Sequence, residues 1–186
     1  MTKKSIYYRL LTSTIFVFII SFGVNNQANA DTIKVGVSMP LTGNFAVPGT
    51  KHLEGYKTCV DVINRSGGWL DREVELVVND NRSDTETAIS QYERFINVDK
   101  VDLTFGTFSS KLTFPISPIL AKYNSIHPIP SGGALRIFSQ GHKNLFYFQA
   151  SAAEYVGSNM VGLIEDLVDD KPTKAAVVHA DDFFAN

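Results

Sequence analysis

Apolar positions along the chain switch repeatedly between short continuous or alternating runs and a spacing near 3.6 residues. Ile33 to Met39 (IKVGVSM) predicts a strand that Pro40 ends. Thr50 to Asn64 then sets Leu53, Tyr56, Val60 and Ile63 at helical spacing, and Gly67-Gly68 stops the run. Glu73 to Val78 predicts a second strand, closed by the polar turn Asn79-Asp80-Asn81. Ser83-Asp84-Thr85-Glu86 has capping-box spacing, with Ser83 as N-cap, and Ala88, Ile89, Tyr92, Phe95 and Ile96 form one apolar helical face. Val101 to Thr107 predicts a third strand and Lys111 to Tyr123 a third helix, whose Pro115 and Pro118 predict an irregular or kinked first half. Ile126 to Ile129 reads as a short fourth strand, followed by the loop Pro130-Ser131-Gly132-Gly133 and an extended segment over Leu145 to Phe148. Ser151-Ala152-Ala153-Glu154 repeats the capping-box spacing ahead of a helix reaching about Val168, and Ala175 to His179 (AAVVH) reads as a last strand.

The order β-α-β-α-β-α-β predicts an α/β fold, a parallel sheet with helices on both faces. Ligands of such sheets bind beyond the carboxyl ends of the strands. Four loops fall there: Leu41-Thr42-Gly43, Asn79 to Asn81, Thr107 to Ser110, and Ser131 to Gly133. Asp181 to Asn186 leaves no helix to cover the AAVVH segment, so the sequence reads as a fragment, or as a frameshifted product of a longer gene.

Composition changes this picture at the N-terminus. Lys3, Lys4 and Arg9 precede an apolar stretch from Leu10 to Val24, and Ala28-Asn29-Ala30 has the small-x-small form of a signal-peptidase site. This stretch of 15 residues falls short of the ~20 that a membrane span needs, so residues 1–30 predict a cleaved secretory signal and an extracytoplasmic protein. No cysteine follows the cleavage point, which excludes lipoprotein attachment there. Removing three of the 17 basic residues leaves 14 against 19 acids, a balance of −5. That charge argues against a nucleic-acid partner, which calls for a basic face. Cys59 is the only cysteine, and its place in an apolar-periodic stretch predicts a small buried core residue. Export without cystines points to a bacterial-type envelope such as the periplasm.

The candidate chemistry narrows by elimination. Ser109, Ser110 and Ser131 have His127, His142 and His179 as conceivable partners, but Gly106-Thr107-Phe108-Ser109-Ser110 is not the G-x-S-x-G elbow that presents a nucleophile. An envelope serine hydrolase is therefore a distant reading. The histidines lack metal-ligand spacing, and Asn79-Asp80-Asn81 has neither the glycine nor the distal glutamate of a calcium loop. No phosphate-binding glycine motif occurs, so neither a metal nor a nucleotide cofactor is expected. What remains is a binding corner. Ser109 and Ser110 follow a strand and a glycine just where a helix begins, so hydroxyls, free N–H groups and the helix dipole can meet an anion. The alternative is that one serine simply caps the helix. The small-residue loop Ser131-Gly132-Gly133 follows the neighbouring strand and allows close backbone approach. The two loops together suit the head group of a small zwitterion.

Longer stretches carry a family likeness. "IKVGVSMPLTGNFAVPGTKHLEGYKTCVDVINRSGGW", "VELVVNDNRSDTETAI" and "FGTFSSKLTFPISPILAKYNSIHPIPSGGA", in this order and spacing, resemble the leucine/isoleucine/valine-binding class of periplasmic solute-binding proteins of ABC transporters. The likeness covers essentially all of residues 31–186. It implies a type I periplasmic-binding-protein fold: a first α/β lobe over 31–150, the start of an incomplete second lobe over 151–186, and a ligand closed between lobes by a hinge. It implies a monomer without catalysis that delivers an amino acid or related amide to an ABC permease in the membrane. A sensory ectodomain with the same lobes is the alternative.

By position, Ser110 matches the serine that binds the ligand carboxylate, with Ser109 beside it. Ser131 matches the residue whose carbonyl takes the ligand ammonium, with Gly132 next to it. Gly133 stands where threonine is common. An aromatic from the L-T-G loop usually covers the ligand side chain; Pro48 falls near that position, and Phe45 is the candidate substitute. Phe184 stands where the second lobe offers a tyrosine, followed by Ala185 in place of glycine.

Overall fold

A computed structural model describes residues 31–149 continuously and, beyond them, 155, 157–167, 169, 172–174, 176, 178, 179 and 181. The elements are β1 (Ile33–Met39), α1 (Ala46–Arg65), β2 (Val74–Asp80), α2 (Thr85–Asn97), β3 (Leu103–Phe105), α3 (Ser110–Lys122), β4 (His127–Ile129), α4 (Leu135–Phe138), β5 (Leu145–Tyr147) and α5 (Ser158–Leu167). Among the described residues the strands pair in parallel, in the orders β2-β1-β3 and β4-β5. β1 is central and buried on both faces, as the middle of a covered parallel sheet must be. Between β3 and β4 the ladder is interrupted. Pro128 has no N–H to give, and the contact is carried by Gly106 N–H donating to Pro128 O at 2.9 Å and by Thr104 Oγ1 with His127 Nδ1 at 3.0 Å.

Two apolar clusters lie on the helices' contact faces. Ile33, Val35, Val37, Met39, Leu53 and Val74 join β1 and β2 to α1. Tyr92, Phe95, Ile116, Leu120, Ile129 and Ile137 join α2, α3 and α4 to the other side. The expected doubly covered parallel sheet is the architecture observed, with the four candidate loops at the carboxyl ends of β1 to β4.

Several expected boundaries and details move. α1 starts at Ala46 rather than Thr50, because Pro48 falls in the first turn, where a missing N–H costs nothing. β2 runs on through Asn79 and Asp80, which pair with Ser38 and Met39 of β1, so the turn begins only at Asn81. Ser83 is not the N-cap of α2. Asp84 is, accepting Thr87 N–H at 2.8 Å, while Ser83 turns its hydroxyl to the loop after β1. β3 is three residues long instead of seven.

Helix α3 is continuous from Ser110 to Lys122 through both prolines. Pro118 cannot donate to Phe114 O, and the Ser117 hydroxyl donates to it instead, at 2.6 Å. Cys59 is exposed, not buried: its flank of α1 opens on an apolar groove lined with Val35, Val60, Ile63 and Leu103. The short helix α4 was not anticipated by any pattern. Of AAVVH, the described Ala176, Val178 and His179 are not in a strand, and Val178 is 97% exposed; strand propensity depends on packing context and does not by itself fix a strand. The expected cap at Ser151 and the signal segment 1–30 lie outside the described residues, and α5 begins at Ser158.

Candidate functional site

The loop leaving β3 and the loop leaving β4 close on one another. Gly106 makes this possible, since a Cβ there would meet Pro128 O at 2.8 Å and Ile129 Cα at 3.2 Å. Gly132 has the same role against α3, where an added Cβ would stand 2.7 Å from Thr113 Oγ1. Ala134 N–H then donates to Ser110 Oγ at 3.2 Å and ties the loops together.

Ser109 occupies the N-cap position of α3 in an extended conformation (φ −159°, ψ −175°), but its side chain caps nothing. Its hydroxyl is buried with no hydrogen-bond partner among the described residues, an arrangement that costs about 1–3 kcal/mol until something supplies one. The Ser109 carbonyl is fully used by Leu112 N–H, Thr113 N–H and the Thr113 hydroxyl. The N–H groups of Ser110 and Lys111 have no place in the helix ladder, and the first turn of α3 carries no acidic residue. Ser110 accepts from Ala134 and keeps its own proton free among the described residues. The corner therefore offers two hydroxyls, two backbone donors and the positive end of a 13-residue helix. These are donors an anion could use.

Ser109, Ser110, Ser131, Gly132, Gly133 and Phe45 line one recess of about 180 Å3, together with Phe108, Lys111 and Gln149. Six of the seven residues singled out from the sequence thus meet at one place. The seventh, Phe184, lies outside the described residues. The Phe45 ring stands edge-on to Phe108 at 5.6 Å, and both rings line the recess as its apolar part. Pro48 sits in the first turn of α1 and is not among the lining residues. Phe108, Lys111 and Gln149 were not singled out from the sequence, although Phe108 lies in the expected ligand-side loop Thr107 to Ser110 and Lys111 follows the serine pair.

The carboxyl ends of the first strands also carry a buried polar web that the sequence reading missed. Asn81 Nδ2 donates to Ser38 Oγ and to Thr107 Oγ1, both at 3.1 Å, and Ser38 Oγ donates to Gln91 Oε1 at 2.7 Å. These bonds join the carboxyl ends of β1, β2 and β3. Asp80 accepts from Leu41 N–H, Thr42 N–H, Thr42 Oγ1 and Arg82 N–H. Desolvation pushes its carboxyl up, but the bonds from Arg82, Thr42 and Leu41 outweigh that and hold it below the usual range. His127 is wholly buried on Thr104, and among the described residues no bond links a histidine to Ser109, Ser110 or Ser131. Among those residues there is likewise no cluster of three or more His, Cys, Asp or Glu able to hold a metal ion.

Comparison with known proteins agrees with this geometry. A family model described as "Periplasmic binding protein" matches residues 32–186. A Leu/Ile/Val-binding protein homolog from Brucella melitensis is 29% identical over 178 residues, spanning 92% of this chain and 45% of that protein. A leucine-, isoleucine-, valine-, threonine-, and alanine-binding protein from Pseudomonas aeruginosa is 31% identical over 117 residues, 63% of this chain and 31% of the relative. Among solved structures, the branched-chain amino acid transporter substrate binding protein LivJ of Streptococcus pneumoniae, in complex with isoleucine, superposes with a TM-score of 0.68 at 26% identity. That superposition covers 74% of this chain and 39% of LivJ. The chain spans less than half the length of the relatives it matches. The parallel sheet, the paired loops at its carboxyl edge and the match over residues 32–186 lead to one assignment: the chain belongs to the periplasmic binding protein family.

Proposed function

We propose that this chain is the solute-binding component of an ABC importer, taking a small amino acid of the branched-chain type or a related amide and presenting it to a membrane permease. The observation that carries the reading is the recess itself. Ser109, with its orphaned hydroxyl, and Ser110, with its free proton, face the small-residue loop Ser131-Gly133 under the Phe45–Phe108 wall. In this reading the ligand carboxylate sits at Ser110 Oγ and the α3 N–H groups, and its ammonium at Ser131 O. Phe45 and Phe108 border the ligand side chain. Lack of a hydroxyl at Gly133 leaves one acceptor fewer on the ammonium side than a threonine would give.

The relatives are named for leucine, isoleucine and valine binding, and LivJ holds isoleucine; this supports the ligand class and an extracytoplasmic, periplasmic setting. Residues 31–150 would form the first lobe and 151–186 the opening of the second, with Phe184 facing the ligand from that side. The protein would act as a monomer and transform nothing. Thermal melting against a panel of amino acids and amides tests the reading. A rise in Tm with a branched-chain amino acid is expected, and no shift with any member of the panel would count against it.

A further inference from the structure

The turn after β2 holds two consecutive non-glycine residues in the left-handed region, Arg82 (φ 56°) and Ser83 (φ 60°). Backbone of this kind persists only where its surroundings fix it, and it gathers at working parts of a protein. Here Asp80 Oδ1 accepts Arg82 N–H at 2.8 Å and Asn81 Oδ1 accepts Ser83 N–H at 3.0 Å. The turn so formed reaches across to the loop after β1. The Ser83 hydroxyl donates to Thr42 O at 2.8 Å and accepts Phe45 N–H at 3.0 Å, while Asp80 holds Leu41 and Thr42. Gly43 (φ +81°) lies flat on the turn, and a Cβ there would meet Arg82 O at 2.6 Å and Ser83 Oγ at 2.8 Å. Phe45 leaves this clasp directly into the recess wall, edge-on to Phe108.

We propose that Asp80 and Ser83 are positioning residues for ligand binding: the strained 80–83 turn holds the 41–45 loop so that the Phe45 ring stands over the recess. This rests on the binding role proposed above and adds the device that sets its apolar wall. Neither residue lines the recess, and their effect passes through Phe45.

A double-mutant cycle with isoleucine as the probe, read by calorimetry on the whole chain, tests this. Ser83→Ala is expected to weaken isoleucine binding about tenfold in the native background, as the Phe45 tether is lost, and by less than about threefold when Phe45 is already alanine. Equal effects in both backgrounds would overturn the proposal, since a general loss of stability adds and does not cancel. A second measurement needs no ligand. In the unsubstituted chain an NMR cross-relaxation contact between the Phe45 and Phe108 rings is expected; it should vanish in Ser83→Ala and in Asp80→Asn while the Tyr92–Phe95 contact in the core stays. Persistence of the Phe45–Phe108 contact in both variants would also overturn the proposal. If the native chain binds no amino acid yet the ring contact is lost in the variants, the positioning inference stands and the binding role falls.

Discussion

Acidification should destabilise this protein well above the pH at which its carboxylates titrate, and His127 is the reason. The imidazole is 0% exposed, with Nδ1 on Thr104 Oγ1 at 3.0 Å, no partner at Nε2, and the Tyr92 ring edge-on at 5.3 Å. No charged group faces it among these contacts, and burial drags its pKa down from 6.5 to about 3. In the unfolded chain the ring takes a proton near pH 6.5, but in the folded one not until about pH 3. Between those values the unfolded state binds more protons. The stabilising contribution is therefore complete above pH 6.5 and is lost as pH falls toward 3, at a limiting slope of about 1.4 kcal/mol per pH unit. From pH 7.5 to pH 5.0 the loss comes to about 2 kcal/mol.

Burial also lowers the pKa of His52, which adds in the same direction. Asp80 and Asp84 have carboxyls held below their usual 3.8, so their contributions fade only below that pH, outside this window. Urea unfolding followed by circular dichroism at pH 7.5, 6.0 and 5.0 measures the slope directly. His127→Gln, which can still bond Thr104, should flatten most of it. A midpoint unchanged from pH 7.5 to 5.0 in the unsubstituted chain, or an unchanged slope in the variant, would refute the reasoning.

Three further outcomes follow from local structure. Leu120→Ala, at a fully buried site between α3 and the sheet, should cost about 2–5 kcal/mol in the same urea assay. Ser117→Ala strips the Phe114 carbonyl of the donor that stands in for Pro118, and should cost about 1 kcal/mol; an undisturbed midpoint would mean water serves equally well. Cys59 should react fully with a thiol reagent under native conditions, and reaction only after denaturation would contradict its exposure on α1.

The elements that could be read from sequence are those whose local pattern and tertiary role coincide. β1 was bounded correctly because its apolar run is stopped by Pro40, and the serine pair was placed at a helix start because Gly106 ends the strand before it. Cys59 misled because 3.6-residue spacing gives the direction of a side chain but not whether anything lies over it. Ser83 and Asp84 are both capable N-caps, and the choice between them was made by Thr42 and Phe45, some forty residues away. Phe108 and Gln149 reach the recess through loop geometry that carries no periodic signal. Pro115 and Pro118 predicted an irregular or kinked first half of α3, since propensity counts the lost N–H but not, at Pro118, the Ser117 hydroxyl beside it.

Titration calorimetry of isoleucine into the chain and into Ser110→Ala tests the central claim most directly. Ser110 Oγ carries the proton assigned to the ligand carboxylate, and its loss is expected to cost about 1–3 kcal/mol of binding, a roughly 5- to 150-fold weaker Kd, with an unchanged circular dichroism spectrum. Saturable binding that weakens to this degree supports the recess as the amino-acid site. Binding of equal strength in the variant, or no binding heat in the unsubstituted chain, would contradict it.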